Sequence, residues 1–118
     1  MKLTGKALQD FIKWSSTGNG YIYVNKSTTT AIHYTLLTDD LLNALIIDWF
    51  GSVGIHISTM SDFDQEDTDN LVFFSYIRGL SKFTPTKSSL SRTEAQIEAI
   101  KRAAKMYNEN PKLWSTKH

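Results

Sequence analysis

Thr38-Asp39-Asp40-Leu41-Leu42-Asn43-Ala44-Leu45-Ile46-Ile47-Asp48-Trp49-Phe50-Gly51-Ser52-Val53-Gly54 runs directly into Ile55-His56-Ile57-Ser58-Thr59-Met60. A hydroxyl followed by two carboxylates is a helix start, because Thr38 can cap free N–H groups and acids suit the positive end of the helix dipole. The apolar run after it predicts a helix over 39–50, which Gly51 and Gly54 end. Ile55 to Met60 then reads as a strand. A helix apolar on nearly all sides sits at the centre of a fold. At about 100° per residue, Ile47 and Phe50 share a stripe with Asp39, Asp40 and Asn43. That stripe reads either as an exposed partner surface or as one more buried side of a central helix. Asp48 reads as a solvent-facing spacer.

Beyond this segment the chain alternates strand and helix signals. Asp62 to Asn70 is an acidic loop, and Leu71 to Arg78, rich in aromatic and β-branched residues, is a strand that pairs with the one before it. Residues 79–90 read as a polar loop broken by Pro85. Ser91-Arg92-Thr93-Glu94 has the spacing of a capping box. The helix it opens carries Ile97, Ile100, Ala104 and Tyr107 on one stripe, and Asn110-Pro111 stops it. On the N-terminal side, Thr4 caps a helix with Leu8, Phe11 and Ile12 on one face, ending in the breakers at 15–20. Tyr21 to Val24 and Thr29 to Leu36, joined by the polar Asn25 to Thr28, predict a hairpin with Ile22, Val24, Ile32, Tyr34 and Leu36 toward the core. The expected fold class is α+β: a single domain over 1–118, in the order α-β-β-α-β-β-α, with a small antiparallel sheet of about four strands and helices packed on one face.

Composition narrows the function. The 118 residues hold no Cys, which excludes disulfide frameworks, thiolate metal sites and thiol chemistry. No stretch reaches the roughly 20 apolar residues of a membrane span, and the N-terminus lacks a signal-peptide core, so a soluble protein of the cytoplasm is expected. The net charge of +1 conceals segregation: residues 36–75 carry eight carboxylates and no Lys or Arg, whereas residues 76–118 carry nine bases against three acids. Such segments either form opposed surface patches or neutralise one another in the fold.

Three motifs bear on chemistry. The loop Asp62-Phe63-Asp64-Gln65-Glu66-Asp67-Thr68-Asp69-Asn70 fails the calcium-loop pattern, since Asp67 stands where Gly is required and Phe73 where Glu is required. The plainer reading is a solvated hairpin loop; a looser divalent site and a partner contact through Asp62, Asp64, Glu66, Asp67 and Asp69, including one that imitates nucleic-acid phosphates, are the alternatives. The last helix offers Arg92, Lys101, Arg102 and Lys105, with Tyr76, Phe83 and Trp114 as aromatics, a composition able to hold nucleic acid. Glu98 and Arg102, at i,i+4, also read as ordinary surface pairing. No catalytic set emerges. Gly51-Ser52-Val53-Gly54 is not a nucleophile elbow, and His33, His56 and His118 make no metal-ligand pair. No cofactor and no metal is expected.

Two stretches carry a resemblance. Asp48-Trp49-Phe50-Gly51-Ser52-Val53-Gly54-Ile55, and Arg92 to Ile100 continuing to Tyr107-Asn108, resemble segments of small uncharacterised proteins of bacteriophages and related mobile elements. In those proteins an acidic residue often precedes Ser-Val-Gly-Ile; here Gly51 takes that place. The resemblance covers under half the chain and carries no residue roles. It implies a phage or prophage accessory protein inside a host cell. The sequence reading is therefore a non-enzymatic accessory protein that binds another protein of host or phage, inhibiting a host factor through the acidic loop, with Ile47 and Phe50 contributing. The alternative is a nucleic-acid-binding module using Arg92, Lys101, Arg102 and Lys105. No membrane is involved in either, and the oligomeric state is not fixed by sequence.

Overall fold

In the structure, a computed structural model that describes residues 2–15, 21–25, 30–63, 71–79, 82–86, 89 and 91–115, the central segment folds around its caps. The Thr38 hydroxyl oxygen accepts from the Leu41 N–H at 3.3 Å and starts α2, Asp39–Ser52. This helix absorbs Gly51, and the chain turns only at Gly54, whose φ of 100° suits a residue without a Cβ. The turn delivers Ile55 and then β3, His56–Phe63, which pairs antiparallel with β4, Leu71–Gly79. On the N-terminal side lie α1, Gly5–Ser15, and a hairpin of β1, Tyr21–Asn25, with β2, Thr30–His33. The second strand stops earlier than Leu36, because His33 Nδ1 accepts from the Thr35 N–H and caps a short 3-10 turn over Tyr34–Leu36. Leu36, expected in the core, is 77% exposed as a result.

The chain is mixed helix and strand, but its described strands form two antiparallel sheets, one of two strands and one of three, not a single sheet of about four. The third strand of the larger sheet is β5, Lys82–Pro85, within the segment expected to be loop. Pro85 sits at the end of this edge strand, opposite Tyr76, where its missing N–H does no harm. Past it, Phe73 and Ser89 exchange two backbone hydrogen bonds of 2.7 Å. Then α3, Arg92–Glu109, begins with the Ser91 hydroxyl accepting from the Glu94 N–H. Half of the capping box is rewired: the Glu94 carboxylate accepts from the Ser89 hydroxyl at 2.8 Å, and that same hydroxyl oxygen takes the Ser91 N–H. Asn110 ends α3, and Pro111, whose fixed φ suits a first helical residue, opens α4, Pro111–Ser115.

The core lies where α1, α2 and α3 meet. Trp49 touches the rings of Phe11, Phe50 and Tyr107 at centroid distances of 6.1, 4.7 and 5.0 Å. Buried Tyr107 donates its hydroxyl proton to Asp10, which Lys6 pairs at 3.0 Å. Below this cluster, α2 and α3 rest on β3 and β4. The small residues Ala95, Ala99 and Ala103 bring α3 close to the sheet side of the core. Trp114 of α4 closes one end, its ring lying over Gly54 and Gly79.

Two strains in this packing are testable by thermal denaturation. Asn43 is fully buried, and neither its Nδ2 nor its Oδ1 has a hydrogen-bond partner among the described residues. Asn43→Leu is expected to raise stability by about 1–2 kcal/mol, since an unpaired buried amide costs that much. A Cβ at Gly79 would lie 2.9 and 3.1 Å from Trp114 ring atoms, so Gly79→Ala is expected to cost about 1–3 kcal/mol.

Candidate functional site

The side chains of an antiparallel strand alternate between two faces, and β3–β4–β5 uses its two faces for different work. On the inner face Ile57 stands opposite Ile77 and Thr59 opposite Ser75. Ser75 fastens this face to α3: its hydroxyl donates to the Ala95 carbonyl at 3.1 Å and accepts from the Thr59 hydroxyl at 2.8 Å. Its backbone N–H donates to the Thr86 hydroxyl at 2.8 Å.

The outer face carries the other register: His56 opposite Arg78, Ser58 opposite Tyr76 and Met60 opposite Phe74. Phe83 of β5 occupies the register position beside Arg78. Phe74 and Tyr76 meet edge to face, with centroids 5.3 Å apart and rings at 86°. His56, Ser58 and Arg78 are exposed, and Met60 is 46% exposed. A shallow cavity of about 290 Å³ opens among His56, Ser58, Met60, Tyr76 and Arg78. The Arg78 guanidinium has no ion-pair or hydrogen-bond partner among the described residues. No carboxylate is among the described side chains on this face. Asp62 takes a register position at the far end, opposite Val72. Aromatic rings with a cation at one end form a surface suited to planar, anionic ligands.

The other sequence candidates scatter. Phe50 is fully buried beneath Trp49 and Ile47 is half-buried against the core, so their stripe, exposed at Asp39 and Asp40, is enclosed at Asn43 and Phe50 and offers no partner surface at Phe50. Asp64, Glu66, Asp67 and Asp69 lie outside the described residues, as does the side chain of Asp62. The four bases of the last helix do not form one patch. Arg92 stacks over the Phe73 ring at 5.3 Å. Arg102 bonds Glu98 at 3.3 Å and the Pro85 carbonyl at 3.2 Å, which straps β5 to α3. Lys101 and Lys105 stay together in a groove of about 580 Å³ with Lys2, Thr4, Ala104, Asn108 and Glu109. That groove lies on the α1 side of α3. Lys2 there is paired with Asp39 at 3.4 Å, joining the basic N-terminal segment to the acidic middle one.

No protein-family model matches the chain, and no curated protein or solved structure matches it. Function is therefore argued from the surface itself. Ser52 donates its hydroxyl to the Trp49 carbonyl at 2.6 Å, a local helix contact, and His33 serves the 3-10 turn. Among the described residues no three His, Asp or Glu side chains gather as metal ligands. Of the outer-face set the sequence reading named only Tyr76 and Phe83, grouped with the bases of the last helix, although a further signal was present: Phe74, Tyr76 and Arg78 stand two residues apart in one strand and so share a face.

The two faces should respond differently to substitution. Ser75→Ala is expected to lower unfolding free energy by about 1–3 kcal/mol in urea titration, because it leaves buried partners unpaired. Arg78→Ala, exposed and unpartnered, is expected to stay within about 0.5 kcal/mol of the parent.

Proposed function

We propose that the protein is a single-stranded nucleic-acid-binding module that uses the outer face of β3–β4–β5. The observation that carries this reading is the Phe74–Tyr76 ring pair on the central strand, with His56 and Arg78 beside it and no carboxylate among the described side chains. Stacking on protein rings binds any base, and cations next to the rings meet the phosphates. The groove at Lys101 and Lys105 is a weaker claimant. It has no aromatic ring in its lining, it includes Glu109, and its Lys2 is already paired.

A second reading keeps protein binding. Leu36 and Leu41 are 77% and 47% exposed and flank the acidic start of α2 at Asp39 and Asp40. Exposed apolar groups rimmed by carboxylates suit a partner with an apolar, basic surface. On this reading the accessory role expected for a phage-type protein is served at the 3-10 turn and the first turn of α2, and Leu36→Asp removes binding.

Fluorescence anisotropy with a labelled ten-nucleotide oligomer tests the first reading. Phe74→Ala and Tyr76→Ala are each expected to weaken binding by roughly 5- to 150-fold, the range for losing one stacked base. Log affinity should fall with log salt, with a slope of about −0.7 for each phosphate contacted. Affinity unchanged by both ring substitutions, or lost only with Lys101→Ala and Lys105→Ala, would overturn it.

A further inference from the structure

The nucleic-acid reading leaves open which bases the cavity takes; resting on that reading, we infer that the cavity among His56, Ser58, Met60, Tyr76 and Arg78 selects bases with two adjacent acceptors, guanine and cytosine, over adenine, thymine and uracil. The lining decides this. Tyr76 brings a ring, Met60 a polarizable apolar side chain, and the polar groups His56, Ser58 and Arg78 surround them. Arg78 stands at the centre of the choice, because a guanidinium carries five N–H donors in a rigid fork and no acceptor. It is exposed and has no described partner, so its donors are available to a ligand.

Guanine presents two adjacent acceptors, O6 and N7, which match that fork. Adenine places an amino donor beside N7, where it opposes an arginine donor. Cytosine offers a second such pair, O2 and N3, on the edge that pairing occupies in a duplex. The described lining holds no carboxylate or carboxamide to accept from the adenine amino group. Thymine and uracil have an N–H between their two carbonyls, so the fork makes one bond where guanine and cytosine receive two. In a single strand these edges are not occupied by a pairing partner, so a side chain on a sheet face can reach them. Ser58, opposite Tyr76, adds a hydroxyl that serves as donor or acceptor and does not oppose the choice.

The test uses seven-nucleotide oligomers of thymidine, and of uridine in RNA form, whose central residue is G, A, C or the parent base. Anisotropy titrations should show the central-G and central-C oligomers binding on the order of tenfold more tightly than the central-A and parent-base ones. Arg78→Lys should keep binding to all four while removing the preference, since it retains charge and loses the fork. Phe74→Ala should weaken all four alike. Equal affinity for all four oligomers with the parent protein overturns the acceptor-pair assignment and leaves the nucleic-acid reading standing. A preference for G and C that survives in Arg78→Lys overturns the assignment to Arg78. No binding of any oligomer, as DNA or RNA, overturns the reading on which the inference rests.

Discussion

The Trp49 indole is where three helices are tied together. Phe11 reaches it from α1, Tyr107 from α3, and Phe50 packs beside it on α2 itself. Burial of such rings contributes several kcal/mol each, more than any surface ion pair in the molecule. The Tyr107 hydroxyl finds Asp10, and Asp10 finds Lys6, so the polar end of the cluster is satisfied at its rim. With α1, α2 and α3 joined in this way, the larger sheet meets the helices, among the described residues, on the face that carries Ser75 and Ile77. Ser75, hydrogen-bonded to the Ala95 carbonyl, and the small residues of α3 make that contact close.

That constraint leaves open the surface proposed for binding. A three-stranded sheet covered on one side presents its alternate residues on the other. A face without a role in binding is usually polar, as the clean alternation of half-buried sheets shows. Here the uncovered register carries Phe74, Tyr76 and Met60 along with His56 and Arg78. Rings left half-exposed forgo burial that the fold could otherwise use, and their combination with unpartnered guanidinium donors fits base stacking and phosphate contact. The charge segregation in the sequence is partly resolved within the fold, where Lys2 reaches Asp39.

Much of the local structure was legible in the sequence because caps and periodicity act over a few residues. Thr38 and Ser91 start the helices expected of them, and Ile100, Ala104 and Tyr107 face the core as their spacing requires. What escaped depends on contacts distant in sequence. Pro85 signals a break, yet it is harmless on an edge strand, a status set only when β5 pairs with β4. Trp114 gives α4 a docking place over Gly54 and Gly79, two glycines far from it in the chain. Phe50 and Ile47 share a stripe with polar residues, but α2 is enclosed on that side at Phe50 and at Asn43, which is buried with it. The shared face of Phe74, Tyr76 and Arg78 could be read from alternation alone. That this face, and not its opposite, stays open follows from where α3 packs.

Backbone amide NMR of the protein titrated with an unlabelled single-stranded oligonucleotide locates the binding surface residue by residue. Shift changes gathered at His56, Ser58, Met60, Phe74, Tyr76 and Arg78, with Lys101 and Lys105 unmoved, are expected of a ligand stacked on the outer sheet face. Changes confined to Lys2, Lys101, Lys105 and Asn108, or none at all at saturating oligonucleotide, would contradict it.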